Sequence, residues 1–272
     1  MNPHPEDARR SVLTATYEAA EKHERWESIY RGHALQDRLN DRIMDRIMAH
    51  LRPPANAYFL DAGCGVGDHS IRIAKRGYRC MGLDISHSIL KQAAVNVTKQ
   101  GLTDRITVSS QALENLGLPD NTFDCVHCRG VLMHIPEWEK GLAHLCRVLK
   151  PGGRIAILEA NDASTDAAFV RLARAVMKRR SKMIRTAAGL EFWSEDNGVP
   201  FVVRMAKVSF LVRKLQELGV RTIARFATEF LDLGRFPSHR LKNAAVAVNR
   251  FWFSLHLPAI PSAGNAIVGE KL

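Results

Sequence analysis

The chain has 272 residues, 46% of them hydrophobic and 25% charged, with a net charge of +11. That balance excludes a disordered chain and allows one large α/β domain, or one domain with a substantial extension. Lys and Arg outnumber Asp and Glu by 21 to 19 over residues 1–160 and by 18 to 9 over residues 161–272, so an anionic partner or surface would meet the C-terminal part.

The polar opening Met1-Asn2-Pro3-His4-Pro5-Glu6-Asp7 is followed by no apolar signal core, which predicts a cytoplasmic protein. From about Ser11 to Leu51 the spacing is helical: Leu39, Ile43, Ile47 and Leu51 recur every four residues beside acid and base pairs, and Pro53-Pro54 ends the helix. Short apolar strands then alternate with helices. Strands are expected at 58–60, 79–83, 106–109, 123–128 and 154–159, with helices at 68–76, 88–100 and 138–149. Such alternation predicts a doubly wound, mostly parallel α/β sheet whose ligands lie at the carboxyl ends of the strands, where Asp61, Asp84 and Cys128 fall. After Glu159 the pattern is mainly helical and basic through about Asn249; residues 264–271 read as a last strand, paired with one near 220–226. The charge-free stretch 251–269 holds His256, Pro258, Pro261, Gly264 and Asn265, too broken for a membrane span.

The run Tyr58-Phe59-Leu60-Asp61-Ala62-Gly63-Cys64-Gly65-Val66-Gly67 carries the first chemistry: a buried strand, an acid, then three glycines at alternate positions. Such a loop lets the backbone approach a ligand closely. A dinucleotide loop needs Gly-x-Gly-x-x-Gly, and Asp68 stands where its last glycine would be, so a pyrophosphate would meet a carboxylate. An acid before the glycines suits a cationic ligand. Asp84 at the end of the second strand either accepts both hydrogen bonds of a ribose diol or caps the helix after it.

The five cysteines, Cys64, Cys80, Cys125, Cys128 and Cys146, sit mostly in apolar segments and read as reduced core thiols. Cys125 and Cys128 have Cys-x-x-Cys spacing, but residues three apart on a strand face opposite sides, so no metal site is expected.

Leu60-Asp61-Ala62-Gly63-Cys64-Gly65-Val66-Gly67, Gly82-Leu83-Asp84-Ile85-Ser86, Leu116-Gly117-Leu118-Pro119-Asp120-Asn121-Thr122-Phe123-Asp124, Cys128-Arg129-Gly130-Val131-Leu132-Met133-His134-Ile135-Pro136 and Arg147-Val148-Leu149-Lys150-Pro151-Gly152-Gly153 stand in this order. Together they resemble the motifs of class I S-adenosylmethionine-dependent methyltransferases, in particular the methyltransferase type 11 group that includes ubiquinone and menaquinone biosynthesis enzymes. The resemblance covers about residues 58–159 and implies a seven-stranded Rossmann-like sheet, S-adenosyl-L-methionine as cofactor and methyl transfer by in-line displacement. It divides the chain into an N-terminal helical lid (1–54), a cofactor-binding core (55–160) and a helical, basic, acceptor-side elaboration (161–272) that includes the last strands of the same sheet.

Site residues follow from it one by one. Asp61, Gly63, Cys64, Gly65 and Gly67 form the cofactor floor, Asp84 and Ile85 meet the ribose, and Ala112 and Leu113 lie beside the adenine. Ala112 departs from the Asp-Ala of many relatives, which leaves adenine recognition to backbone groups and apolar contact. Cys128 and Arg129 border the methionine part; Arg129 meets either the cofactor carboxylate or an anionic acceptor, or is a solvated surface residue. His134 is the candidate base for a protonated acceptor, or an orienting histidine of its loop, whereas His127 packs in the sheet. Tyr17, Tyr30 and His33 lie on the lid helices.

The acceptor implied is a small molecule or one associated with lipid or glycan. The stripe Phe169, Leu172, Ala173 and Val176, with Arg171, Arg174 and Lys178 on another face and Arg179-Arg180 following, suits peripheral contact with an anionic membrane, or is a solvated helix face. Base amino-group methylation, and with it nucleic acid, is disfavoured because Cys128-Arg129-Gly130-Val131 replaces an Asn/Asp-Pro-Pro-aromatic motif. The alternative function is a non-catalytic module that keeps the cofactor fold for binding.

Overall fold

The computed structural model of the protein describes residues 34–177, 182–196, 199–236 and 238–272. Helix α1 (Ala34–Leu51) uses the four-residue spacing as expected: Leu39, Ile43, Ile47 and Leu51 are buried against the sheet, each contributing about 1.5–3 kcal/mol of apolar burial. Its acids pair across to the next helix instead of within their own: Asp37 and Asp41 meet Arg72, and Asp45 meets Arg76.

Strands β1 (Tyr58–Ala62), β2 (Arg79–Asp84), β3 (Ile106–Ser110), β4 (Phe123–Arg129) and β5 (Leu149–Ala160) alternate with helices α2 (Asp68–Lys75), α3 (His87–Lys99) and α4 (Trp138–Val148). Then come α5 (Thr165–Met177), β6 (Lys182–Thr186), β7 (Gly189–Asp196), β8 (Val199–Ala206), α6 (Val208–Glu217), β9 (Val220–Glu229), α7 (His239–Ser254) and β10 (Gly264–Lys271). The main sheet has seven strands in the order β3-β2-β1-β4-β5-β10-β9, with β10 antiparallel between β5 and β9. The expected pairing of the last strand with one beginning at Val220 is present.

Both faces of the sheet are covered, and strand alternation divides the core. Phe59 and Cys125 join α1, Ile73 and Phe253 on one face; Leu60, Val126 and Cys128 join Leu142, Leu145 and Leu215 on the other. Cys125 and Cys128 thus lie on opposite sides of β4. All five cysteines are buried free thiols, and burial pushes Cys125 and Cys146 up to about 12.

The mainly helical reading of residues 159–249 needs correction. Residues 182–206 form a three-stranded antiparallel sheet, β6-β7-β8. The physical reason is period-two patterning: Leu190 and Phe192 pack with Met205, while Glu191 lies opposite Arg204 in the register. On α5, Phe169 and Leu172 are 66% and 65% exposed; the side chains of Ala173, Arg174 and Val176, and residues 178–180, lie outside what is described, as do Tyr17, Tyr30 and His33. Among the described residues no helix is long and apolar enough to cross a membrane.

Candidate functional site

The carboxyl ends of β1, β2 and β4 open onto a cleft of about 180 Å³. Its floor is the glycine loop after β1. Gly63 and Gly65 both adopt left-handed φ, +69° and +53°, which glycine alone takes without strain. A Cβ on Gly63 would stand 2.1 Å from Val131 Cγ2, whereas one on Gly65 would meet nothing within 4 Å. Gly63 therefore lets the loop after β4 close against the floor, and Gly65 keeps the floor open.

Asp84 holds this loop. Its Oδ2 accepts the Gly65 N–H at 2.9 Å and its Oδ1 accepts the Ser86 N–H at 3.1 Å. Capping of α3 falls to Ser86, whose Oγ accepts from the Ile89 amide, so the capping alternative for Asp84 gives way to a carboxylate that lines the cleft. Ile85, Ile89, Ala112 and Leu113 build an apolar wall beside it.

Asp61, Cys64 and Cys128 are placed beneath the cleft and not in its lining. Asp61 is 2% exposed; its oxygens accept from Ser70 Oγ at 2.6 Å and His127 Nδ1 at 2.8 Å. Burial, with Asp61 and Asp84 nearby, pushes the Cys64 thiol up, and burial with Glu159 does the same to Cys128. Gly67, also at left-handed φ, starts α2 from the outer end of the loop. His127 is packed in the sheet, 1% exposed.

Arg129 lines the cleft but is heavily engaged. It donates to Glu229 at 2.7 Å, Asn40 at 3.0 Å and His69 Nε2 at 3.4 Å. Burial, then Arg129 and His127, hold the His69 imidazole well below its ordinary value, so it stays neutral and accepts. Gln36 also donates to Glu229, at 3.0 Å. This network ties α1 to β4 and β9 at one rim of the cleft.

His134 lines the cleft together with Phe201. It sits at the end of a 3₁₀ turn, Leu132–His134. Its ring stacks on Phe201 at 5.4 Å, and its Nδ1 lies 3.4 Å from the Val202 carbonyl. A carbonyl only accepts, so Nδ1 carries the proton and Nε2 is the ring's acceptor atom in the neutral form. Behind the turn, Glu159 Oε1 accepts the Leu132 N–H at 3.0 Å, and burial lifts its carboxyl to about 8.

Sequence reasoning missed Phe201, Glu159 and Arg204, the last a buried guanidinium that reaches the same turn. The signal for Phe201 and Arg204 was the Asn197-Gly198 pair between two apolar runs, a hairpin signature. That pair itself lies outside the described residues.

Residues 60–157 match the family described as "Methyltransferase domain". Over 115 residues the chain is 38% identical to a demethylmenaquinone methyltransferase of Lactiplantibacillus plantarum, covering 41% of this chain and 48% of the relative. It is 39% identical over 114 residues to an S-adenosyl-L-methionine-dependent Diels-Alderase of Talaromyces variabilis, covering 41% of this chain and 39% of the relative. The chain thus spans less than half the length of these curated relatives. Magnesium protoporphyrin IX methyltransferase from Synechocystis PCC 6803, solved with bound SAH, matches with a TM-score of 0.64 at 16% identity, over 97% of this chain and 100% of that one. At that identity the likeness is one of fold. Residues 60–157 thus match a methyltransferase domain, and the solved methyltransferase shares the fold of the chain.

Proposed function

We propose that this chain is an S-adenosylmethionine-dependent methyltransferase acting on a small, largely apolar acceptor. The observation that carries the reading is the glycine loop bonded to Asp84 and opening onto the same cleft as His134 and Phe201. The residues fit the cofactor. Asp84, oriented by two backbone amides, suits a ribose diol; Ile85, Ala112 and Leu113 offer an apolar slot for adenine; Gly65 leaves the floor clear. Asp61 supports the loop from beneath, and Arg129, its charge balanced by Glu229, suits an anchor for α1 as the fixed end of a lid.

When bound, S-adenosylmethionine supplies a methyl group already activated on a sulfonium. What the chain adds is placement: orientation of an acceptor can lower a barrier by about 7–11 kcal/mol. The apolar walls of that part of the cleft offer water few hydrogen-bond partners. His134, with Nδ1 committed to the Val202 carbonyl, presents Nε2 as the group to take a proton from a hydroxyl or an acidic carbon.

The named activity of the Lactiplantibacillus relative supports an acceptor built on an apolar ring. The exposed Phe169 and Leu172, with the basic excess of residues 161–272, support peripheral contact with an anionic membrane, where such acceptors reside. Sedimentation with anionic phospholipid vesicles at low salt is the expected result; protein left in the supernatant contradicts that contact.

Incubation with methyl-labelled S-adenosylmethionine and a small-molecule extract of the host tests the function. Label in an apolar small molecule is expected. Label in no small molecule, from a protein that binds S-adenosylhomocysteine, contradicts it.

A further inference from the structure

The β6–β8 sheet reaches the site through one strand, β8, which touches the turn after β4 in three ways. Phe201 stacks under His134, the Val202 carbonyl faces His134 Nδ1, and Arg204 binds the turn's backbone. Arg204 Nη1 donates to the carbonyls of Leu132 at 3.0 Å and Ile135 at 3.1 Å. These two carbonyls bracket His134 in sequence.

Arg204 is itself fixed. It is 4% exposed, its Nε donates to Glu191 Oε1 at 2.9 Å, and its guanidinium lies 5.6 Å from the Trp138 ring centre. Glu191 in turn accepts from Trp193 Nε1 at 3.0 Å. From the other side Glu159, on the main sheet, accepts the Leu132 amide at 3.0 Å. The turn is therefore gripped by a cation on its carbonyls and a carboxyl group on its amide, each group delivered by a different sheet.

A buried guanidinium on backbone carbonyls is costly unless every donor is satisfied, and a rigid planar fork suits two carbonyls and a carboxylate together. Simple packing of two sheets would need no such arrangement. We propose that Arg204 is a positioning residue for methyl transfer, setting the place of His134 and Phe201 on the acceptor side of the cleft. The β6–β8 sheet is thus the element that fits the site to its acceptor. This rests on the methyltransferase reading above, and it predicts that acceptor handling and cofactor binding separate on mutation.

The test compares wild type, Arg204→Leu and Arg204→Lys. Lysine keeps the charge but not the planar fork, and it carries the comparison where the leucine variant fails to fold. The probes are S-adenosylhomocysteine in calorimetry, 1,4-naphthohydroquinone with methyl-labelled S-adenosylmethionine in kinetics, and the ¹⁵N spectrum of His134.

The expected result is S-adenosylhomocysteine affinity within about threefold of wild type, kcat/KM for the hydroquinone lowered about tenfold or more, and a His134 spectrum moved from the Nδ1–H tautomer toward a mixture. A folded variant with unchanged His134 spectrum and unchanged kinetics overturns the proposal. If wild type binds S-adenosylhomocysteine but leaves the hydroquinone unmethylated, the His134 spectrum alone decides for or against Arg204. If wild type binds no S-adenosylhomocysteine, the methyltransferase reading falls instead.

Discussion

Gly65 donates its backbone N–H to Oδ2 of Asp84 at 2.9 Å, joining the loop after β1 to the end of β2. One carboxylate thereby shapes the floor of the cleft and forms part of its wall. Asp84→Ala removes both roles. S-Adenosylhomocysteine affinity should fall about tenfold to a hundredfold, since hydrogen bonds to a charged group are worth about 1.5–3 kcal/mol. Calorimetry with circular dichroism checks this; unchanged affinity in a folded variant removes Asp84 from the site.

The glycines of the loop should separate into two classes. Gly63→Ala drives a Cβ to 2.1 Å from Val131 Cγ2, so it should lower Tm substantially and disturb the turn after β4. Gly65→Ala meets nothing within 4 Å, and its left-handed φ costs only about 1–2 kcal/mol. Its stability should fall slightly while cofactor binding falls strongly. Thermal melts beside calorimetry distinguish the two, and equal losses of Tm would contradict the assignment.

Glu159 should leave a mark on stability against pH. Its folded carboxyl is raised from 4.5 to about 8, chiefly by burial, so the folded chain holds a proton that the unfolded chain has released. Its contribution is present below about pH 4.5 and is lost as pH rises to about 8, with a slope of about 1.4 kcal/mol per pH unit between them. Glu159→Gln, neutral throughout, should show a shallower fall of Tm between pH 5 and pH 8.5. Parallel curves for the two proteins would show that Glu159 does not titrate in this way.

His134→Gln should leave S-adenosylhomocysteine binding intact and lower kcat about a hundredfold to ten-thousandfold for a protonated acceptor. A variant as active as wild type would make His134 an orienting residue only.

The parallel core was legible because each strand is short, apolar and closed by a turn or an acid, and β4 even revealed its two faces through Cys125 and Cys128. Gly63, Gly65 and Asp84 were legible because their geometry is local: a loop, a strand end and one hydrogen bond between them. Asp61 was less so, since a carboxylate before glycines reads the same whether it faces a ligand or, as found, Ser70 and His127. Arg204 was out of reach for another reason. Its partners Glu191, Leu132 and Ile135 come together only once β8 is recognised as a strand, and the basic composition of the region drew the reading toward helices.

The central claim is the proposal that the cleft lined by Gly65 and Asp84 takes S-adenosylmethionine. Calorimetric titration with S-adenosylhomocysteine and, separately, with a nicotinamide dinucleotide tests it most directly. The account predicts a single site for S-adenosylhomocysteine that is weakened about tenfold to a hundredfold in Asp84→Ala, and no heat from the dinucleotide. Binding of the dinucleotide with no response to S-adenosylhomocysteine would contradict it.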